Sequence, residues 1–196
     1  MTFCFKTLEK YFYDMNEVIG SGAYGKVYKG YYLPNYATEA TKDIILAIKE
    51  IPILANKGEA DQFKKTVLAE IDMMKKLQHK NIVRFIDVKR TDNFFYIITE
   101  YCNQGSLASF LRKNSLSEKE IIFYIKQIIE GFKYLSGKKI MHRDVKPENI
   151  LLHNNVIKLA DFGFAKNIKE SAKPEEHTIV GTVYYMSPEI LAGSYL

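Results

Sequence analysis

Three glycines pose the first chemical question. In "GSGAYGKV", Gly20, Gly22 and Gly25 let backbone amides approach a polyphosphate with no side chain between. The same spacing opens a helix in dinucleotide-binding folds, but Lys26 to Tyr32 continues here as an alternating strand. That context favours a glycine-rich hairpin over phosphates, with a merely tight hairpin as the plainer reading. "LAIKE" then sets Lys49 on a strand between apolar neighbours, where an ammonium needs an anionic partner. Glu70, in "LAEIDMMKKL", is the candidate, provided its helix packs against that strand. Further on, "HRDVKPENILL" (142–152) and "LADFGFAK" (159–166) gather Asp144, Lys146, Asn149 and Asp161. Taken singly, such loop residues are turn formers.

The elements that must position these groups follow from periodicity. "YFYDMNEVIGSGAYGKVYKGYY" reads as strand, turn, strand, and "IILAIKEI" as a third strand after the polar connection "LPNYATEATKD". Phe63, Val67, Ile71, Met74 and Leu77 stand at helical spacing, which predicts one amphipathic helix over 59–76. "NIVRFIDVKR" and "NFFYIITEYC" suit a strand pair joined through "TDN". Beyond "NQGS" the character changes. Ser117 and Glu120 have capping-box spacing ahead of Ile121, Ile122, Ile125, Ile128, Ile129, Phe132 and Leu135, which predicts a long helix over 117–136. The expected fold class is therefore α+β. A five-stranded antiparallel sheet plus one helix (1–102) precedes a mainly helical second lobe (103–196), with a seam near 102–106.

Bulk composition excludes several classes. With 196 residues, 47% hydrophobic and 26% charged, the chain can bury a sizeable core, and no low-complexity tract argues for disorder. The net charge of +5 is spread over scattered lysines, so no nucleic-acid surface is expected. Two cysteines, Cys4 and Cys102, without metal-ligand spacing, fit a reducing, cytoplasmic location and no zinc site. No signal peptide is read in "MTFCFKTLEKYFYD", and no apolar run reaches the length of a membrane span.

Taken together, "GSGAYGKV", "LAIK", "HRDVKPEN", "DFG" and "SPE" resemble, in order and spacing, the eukaryotic protein kinases of serine/threonine type. The resemblance runs from about Tyr13 to the end of the chain. It implies a bilobal fold and transfer of the γ-phosphoryl group of ATP, with magnesium, to a Ser or Thr of a protein substrate. Gly20, Gly22 and Gly25 would cover the nucleotide's phosphates, and Lys49, held by Glu70, would grip the α- and β-phosphates. Val27, Ala47 and Leu151 would sandwich adenine, with backbone groups of Glu100 and Cys102 hydrogen-bonding it and Thr99 as a small gatekeeper. Asp161 would ligate magnesium, with Asn149 on a second ion. Asp144 would accept or orient the proton of the attacking hydroxyl, Lys146 would steady the γ-phosphate and Thr182 would contact Asp144. His142, Phe162 and Met74 match a structural spine. Arg143 would await a phosphate on the activation segment (161–189), where Thr178 is the best-placed acceptor and Ser171 a weaker one. "DFGFAK" and "YYMSPEIL" bear a weaker resemblance to the Unc-51-like autophagy-initiating kinases.

In that family the domain continues for several helices past the motif matched by Ser187, Pro188 and Glu189, whereas seven residues follow here. The second lobe is thus expected to be incomplete, leaving Ile125, Ile128 and Phe132 short of packing and open to a protein partner. The alternative to an active kinase is a truncated, non-catalytic, ATP-binding or regulatory module.

Overall fold

Alternation of apolar and polar residues in the first hundred positions yields an antiparallel sheet. The computed structural model describes residues 4–22, 25–53, 57–163, 165–167 and 182–188. Its chain divides into two units, Met1–Ile71 with Arg84–Tyr101, and Asp72–Val83 with Cys102–Leu196.

In the first unit, strands β1 (Phe5–Leu8), β2 (Tyr11–Gly22), β3 (Gly25–Tyr32), β4 (Leu46–Pro52), β5 (Phe85–Arg90) and β6 (Phe94–Glu100) pair in the order β1-β2-β3-β4-β6-β5. The expected five strands are therefore six among the described residues. The additional one is β1, which hairpins onto β2 with Phe5 opposite Asp14 and Leu8 opposite Tyr11. Its tie to the rest of the sheet is non-local: Lys6 Nζ donates to Glu50 on β4 at 2.6 Å and lies 4.4 Å from the Phe94 ring centre.

Because side chains alternate across a strand, the register sorts this sheet into two chemically different faces. One carries a buried aromatic core of Tyr11, Tyr13, Tyr28, Leu46, Ile48, Tyr96 and Ile98. Buried phenols need partners. Tyr11 donates to Asp87 at 2.8 Å and Tyr13 to Glu50 at 2.7 Å, so two carboxylates serve as anchors of the core. The other face follows from Val27 opposite Lys49, Lys29 opposite Ala47, and Ala47 opposite Thr99. Helix α1 (Lys57–Lys75) begins two residues before the predicted start, and Val67, Ile71 and Met74 on its periodic stripe are buried. Phe63, on the same stripe, has a side chain outside the described residues.

In the second unit, helices α2 (Leu107–Lys113) and α3 (Glu118–Gly137) precede β7 (Ile140–Met141), β8 (Ile150–His153), β9 (Val156–Leu159) and β10 (Lys166–Asn167). Strand β8 forms a hairpin with β9, and β10 pairs with β7. The capping box is present as the sequence predicts. Ser117 Oγ accepts from Glu120 N at 3.4 Å, while Glu120 Oε2 accepts from Ser117 N at 2.8 Å. Ser117→Ala is expected to cost about 1 kcal/mol, read as a lower midpoint in urea unfolding. On α3, Ile121, Ile122, Phe123, Ile125 and Ile129 are exposed, whereas Ile128 and Phe132 are half-buried. Of the three side chains expected to lack cover, Ile125 does so most fully. Among the described residues no helix is long and apolar enough to cross a membrane.

Candidate active site

The first unit builds an ion pair on a prepared surface. Strand β4 carries Lys49 on the face opposite the tyrosine core, and α1 brings Glu70 to it, with Nζ 3.0 Å from Oε1. Glu70 is only 7% exposed, so its charge is held where an unpaired carboxylate would be costly. Val27, Ala47 and Thr99 share that face by register, and all are partly accessible. Glu100 ends β6, its N–H donating to Arg84 O at 3.0 Å.

The glycines of the β2–β3 hairpin differ in what they are for. A Cβ on Gly25 would lie 1.9 Å from the Glu50 carbonyl oxygen, and its φ of +142° suits only glycine, so the fold itself demands it. Among the described residues, a Cβ on Gly22 would meet nothing within 4 Å. The packing of the described residues gives no reason for glycine there. Gly25→Ala is expected to lower stability by about 2 kcal/mol or more. Gly22→Ala should leave stability within about 0.5 kcal/mol and instead weaken nucleotide binding, a contrast that thermal melts and ATP titration resolve.

The second unit gathers the acidic centre. Asp144 is 3% exposed and four donor contacts converge on its carboxylate. Thr182 supplies its N–H at 3.0 Å and its hydroxyl at 2.9 Å to Oδ1. Asn149 Nδ2 and Lys146 Nζ each stand 2.8 Å from Oδ2. Lys146 also donates to Thr182 Oγ1 at 2.8 Å. An ionised carboxylate offers about four lone-pair positions, so the chain's own donors fill them all. Burial pushes the Asp144 carboxyl up, but the bonds from Lys146, Thr182 and Asn149 outweigh it and hold the group below its ordinary value.

Backbone geometry links this centre to Asp161. Arg143 and Asp161 both adopt positive φ, 65° and 62°, a costly conformation for residues with side chains. Ala160 N donates to Asn149 O at 2.9 Å, and the His142 ring spans the gap, its Nε2 2.9 Å from Ala160 O. His142 packs on Phe162 with ring centres 5.1 Å apart, and His142, Phe162 and Met74 are all buried. Asn149 makes both its described side-chain bonds through Nδ2, which leaves Oδ1 as the end suited to a cation. No cluster of three or more His, Cys, Asp or Glu suited to a metal occurs among the described residues. A magnesium ion fits such a sparse donor set, since it takes one or two protein oxygens and completes its shell with phosphates and water.

Two histidines give the fold a pH dependence of definite sign. Burial holds His142 below its ordinary 6.5, against the opposing bond to Ala160 O, and burial also lowers His79, with Lys80 adding to it. Groups that resist protonation when folded contribute fully above the unfolded value and lose that contribution as pH falls. Unfolding free energy should therefore decline from pH 7.5 toward 5, by about 1.4 kcal/mol per pH unit for each extra proton the unfolded chain binds. Asp144 adds a second decline as pH falls below its ordinary 3.8. Urea titrations across this range check both limbs.

The predicted residues thus fall into two sets, Lys49 with Glu70 in one unit and Asp144, Lys146, Asn149 and Thr182 in the other. Leu151 lies on β8, bridged to Ser106, and Cys102 is buried. Thr178, Ser171 and Glu189 lie outside the described residues. The direct Lys146–Asp144 ion pair was not among the expectations, nor was a group of amide side chains at Asn103, Gln104, Asn154 and Asn155. Those amides left a trace in the sequence, the two-residue "NN" between alternating apolar runs.

Comparison with known proteins names the class. The family model described as "Protein kinase domain" matches residues 13–196. The chain belongs to the protein kinase family. It is 40% identical over 190 residues to MAP3K epsilon protein kinase 1 of Arabidopsis thaliana, covering 95% of this chain and 13% of that one. It is 39% identical over 177 residues to mitogen-activated protein kinase kinase kinase 1a of Physcomitrium patens, covering 89% and 22%. Serine/threonine-protein kinase atg1 of Dictyostelium discoideum is 35% identical over 187 residues, covering 91% and 27%. The chain thus spans about a quarter or less of these relatives' length, and they come from several kinase groups.

Proposed function

We propose that this chain is a protein serine/threonine kinase that transfers the γ-phosphoryl group of ATP to a Ser or Thr hydroxyl of a protein. The observation that carries the reading is the Asp144 carboxylate, buried and held by Lys146, Asn149 and Thr182. Gly20 and Gly22 lie along the phosphates, Gly25 shapes the turn, and Lys49, oriented by Glu70, binds α- and β-phosphate oxygens. Val27, Ala47 and Leu151 contact adenine, as do backbone groups of Glu100 and Cys102. Asp161 and Asn149 would hold magnesium, which neutralises charge on the phosphate oxygens when bound.

The filled carboxylate suggests an order of events. With all its acceptor positions engaged, Asp144 is a poor base, and the ion pair with Lys146 is the bond most easily traded for another anion. Lys146, on turning to the γ-phosphate, leaves Oδ2 a position for the incoming hydroxyl and lets burial raise the Asp144 pKa toward the range of a useful base. Thr182, on Oδ1, keeps the carboxylate aimed meanwhile. Arg143 would receive a phosphate on Thr178 of the activation segment.

The test is transfer from labelled ATP with magnesium to a generic Ser/Thr substrate, beside an Asp161→Asn control. Transfer lost in the control supports the kinase. ATP binding without transfer would favour the second reading, a non-catalytic ATP-binding or regulatory module whose exposed stripe on α3 meets a protein partner.

A further inference from the structure

The second unit contains a set of amide bonds that no part of phosphoryl transfer uses. Where the chain leaves β6, residues 102–105 form a turn, Gly105 N donating to Cys102 O at 3.2 Å, that lies beside β8. Gln104 N donates to Leu152 O at 3.1 Å, Leu152 N donates to Gly105 O at 2.9 Å, and Ser106 bridges Leu151. Beyond this backbone pairing, two side chains reach the β8–β9 turn. Asn103 Nδ2 donates to Asn154 Oδ1 at 2.7 Å, and Asn103 Oδ1 accepts from Asn154 N at 3.1 Å. Gln104 Nε2 donates to Asn155 Oδ1 at 2.9 Å, and Gln104 Oε1 accepts from Asn155 N at 2.6 Å. Each amide thus donates and accepts, a reciprocal pairing repeated at successive residues.

The turn is built to present these partners. Asn154 and Asn155 have φ of 49° and 62° between the paired residues His153 and Val156, the conformation of a two-residue hairpin that asparagine tolerates better than most residues. Gln127 of α3 extends the network, donating to Asn155 O at 3.2 Å and accepting from Ile157 N at 3.0 Å. Helix, hairpin and the segment after β6 are fastened at one point.

We propose that this amide clasp is a positioning device for nucleotide binding, holding the backbone at Cys102 in register with Leu151 so that both meet the adenine ring together. The inference rests on the kinase reading, because it takes those two residues as adenine contacts. The clasp touches neither phosphates nor Asp144, so loosening it should cost nucleotide affinity and leave the chemical step alone. Rigid placement before binding is what ordering entropy would otherwise oppose.

The test separates turn from clasp. Asn154→Gly with Asn155→Gly keeps the positive φ and deletes the two side-chain amides of the turn, and Gln104→Met keeps the stem and deletes the amide opposite Asn155. In the full chain, each variant should raise the Kd for ATP with magnesium, and the KM, about threefold to tenfold, with kcat within twofold of the parent. The two changes share the bond from Gln104 Nε2 to Asn155 Oδ1, so the triple variant should lose less than the sum of the two. Hydrogen exchange at Leu152 N–H should quicken in each. Unchanged affinity in variants of an ATP-binding parent, strictly additive losses, or losses that track a lowered melting temperature would each overturn the clasp alone. A parent that binds no ATP would overturn the kinase reading and the clasp with it.

Discussion

Replacing Asp144 by asparagine is expected to lower kcat by about 10²- to 10⁴-fold, the usual worth of a positioned general base, with little change in the KM for ATP. The argument is one of donors and acceptors. The carboxylate is acceptor-only, and it receives two bonds from Thr182, one from Asn149 and one from Lys146. An asparagine brings one acceptor oxygen and an amide that is itself a donor. Whichever way it is turned, one pair of donors then faces a donor, either Thr182 or Lys146 with Asn149. Some stability is therefore lost along with the base, about 1 to 3 kcal/mol for a buried group left unpaired. Steady-state kinetics beside a urea curve separate the two effects, since a fully folded sample at assay temperature attributes the loss in kcat to chemistry. A variant that kept parental kcat while binding ATP would remove Asp144 from the reaction.

Lys49→Met is expected to cost about 10²- to 10³-fold in kcat/KM for ATP, comparable to losing one preorganised donor to a developing charge. Its ammonium lies 3.0 Å from Glu70, and its side chain is still 23% accessible on the face that also bears Val27 and Ala47. It is thus paired yet not sealed, a state that suits a group meant to meet a second anion. Glu70→Gln should be milder, about tenfold, because the amide oxygen can still accept from Nζ. The double variant tells whether Glu70 acts through Lys49: Lys49→Met alone and with Glu70→Gln should then be equally impaired. Further loss in the double variant would mean that Glu70 has a separate part.

What was legible in the sequence sorts by distance along the chain. The α3 cap and helix were readable because Ser117, Glu120 and the isoleucines are local. So were β3, β4 and the β5–β6 pair, whose alternation is local too. Strand β1 was missed because its four residues gain their stability from β2 and from Lys6 meeting Glu50, 44 positions away. Helix α2 has seven residues, too few for a period to declare itself, although its cap Ser106 is an ordinary helix start. At the site, the motifs named Lys49, Glu70, Asp144, Lys146, Asn149 and Thr182. They did not reveal the positive φ of Arg143 and Asp161, which residue identity gives no hint of, nor that Lys146 pairs with Asp144 before any phosphate arrives.

The tyrosine core of the first unit also determines how this protein will look to a spectrometer. The chain has no tryptophan and 14 tyrosines, so the long-wavelength part of its near-ultraviolet signal is phenolic. Tyr11 and Tyr13 are fully buried, and desolvation, reinforced by their bonds to Asp87 and Glu50, drives their ionisation far above the ordinary range. They stay protonated in strong alkali for as long as the sheet survives. An alkaline titration therefore carries a built-in reporter: phenolate absorbance that appears late and all at once marks the collapse of the sheet that bears Lys49.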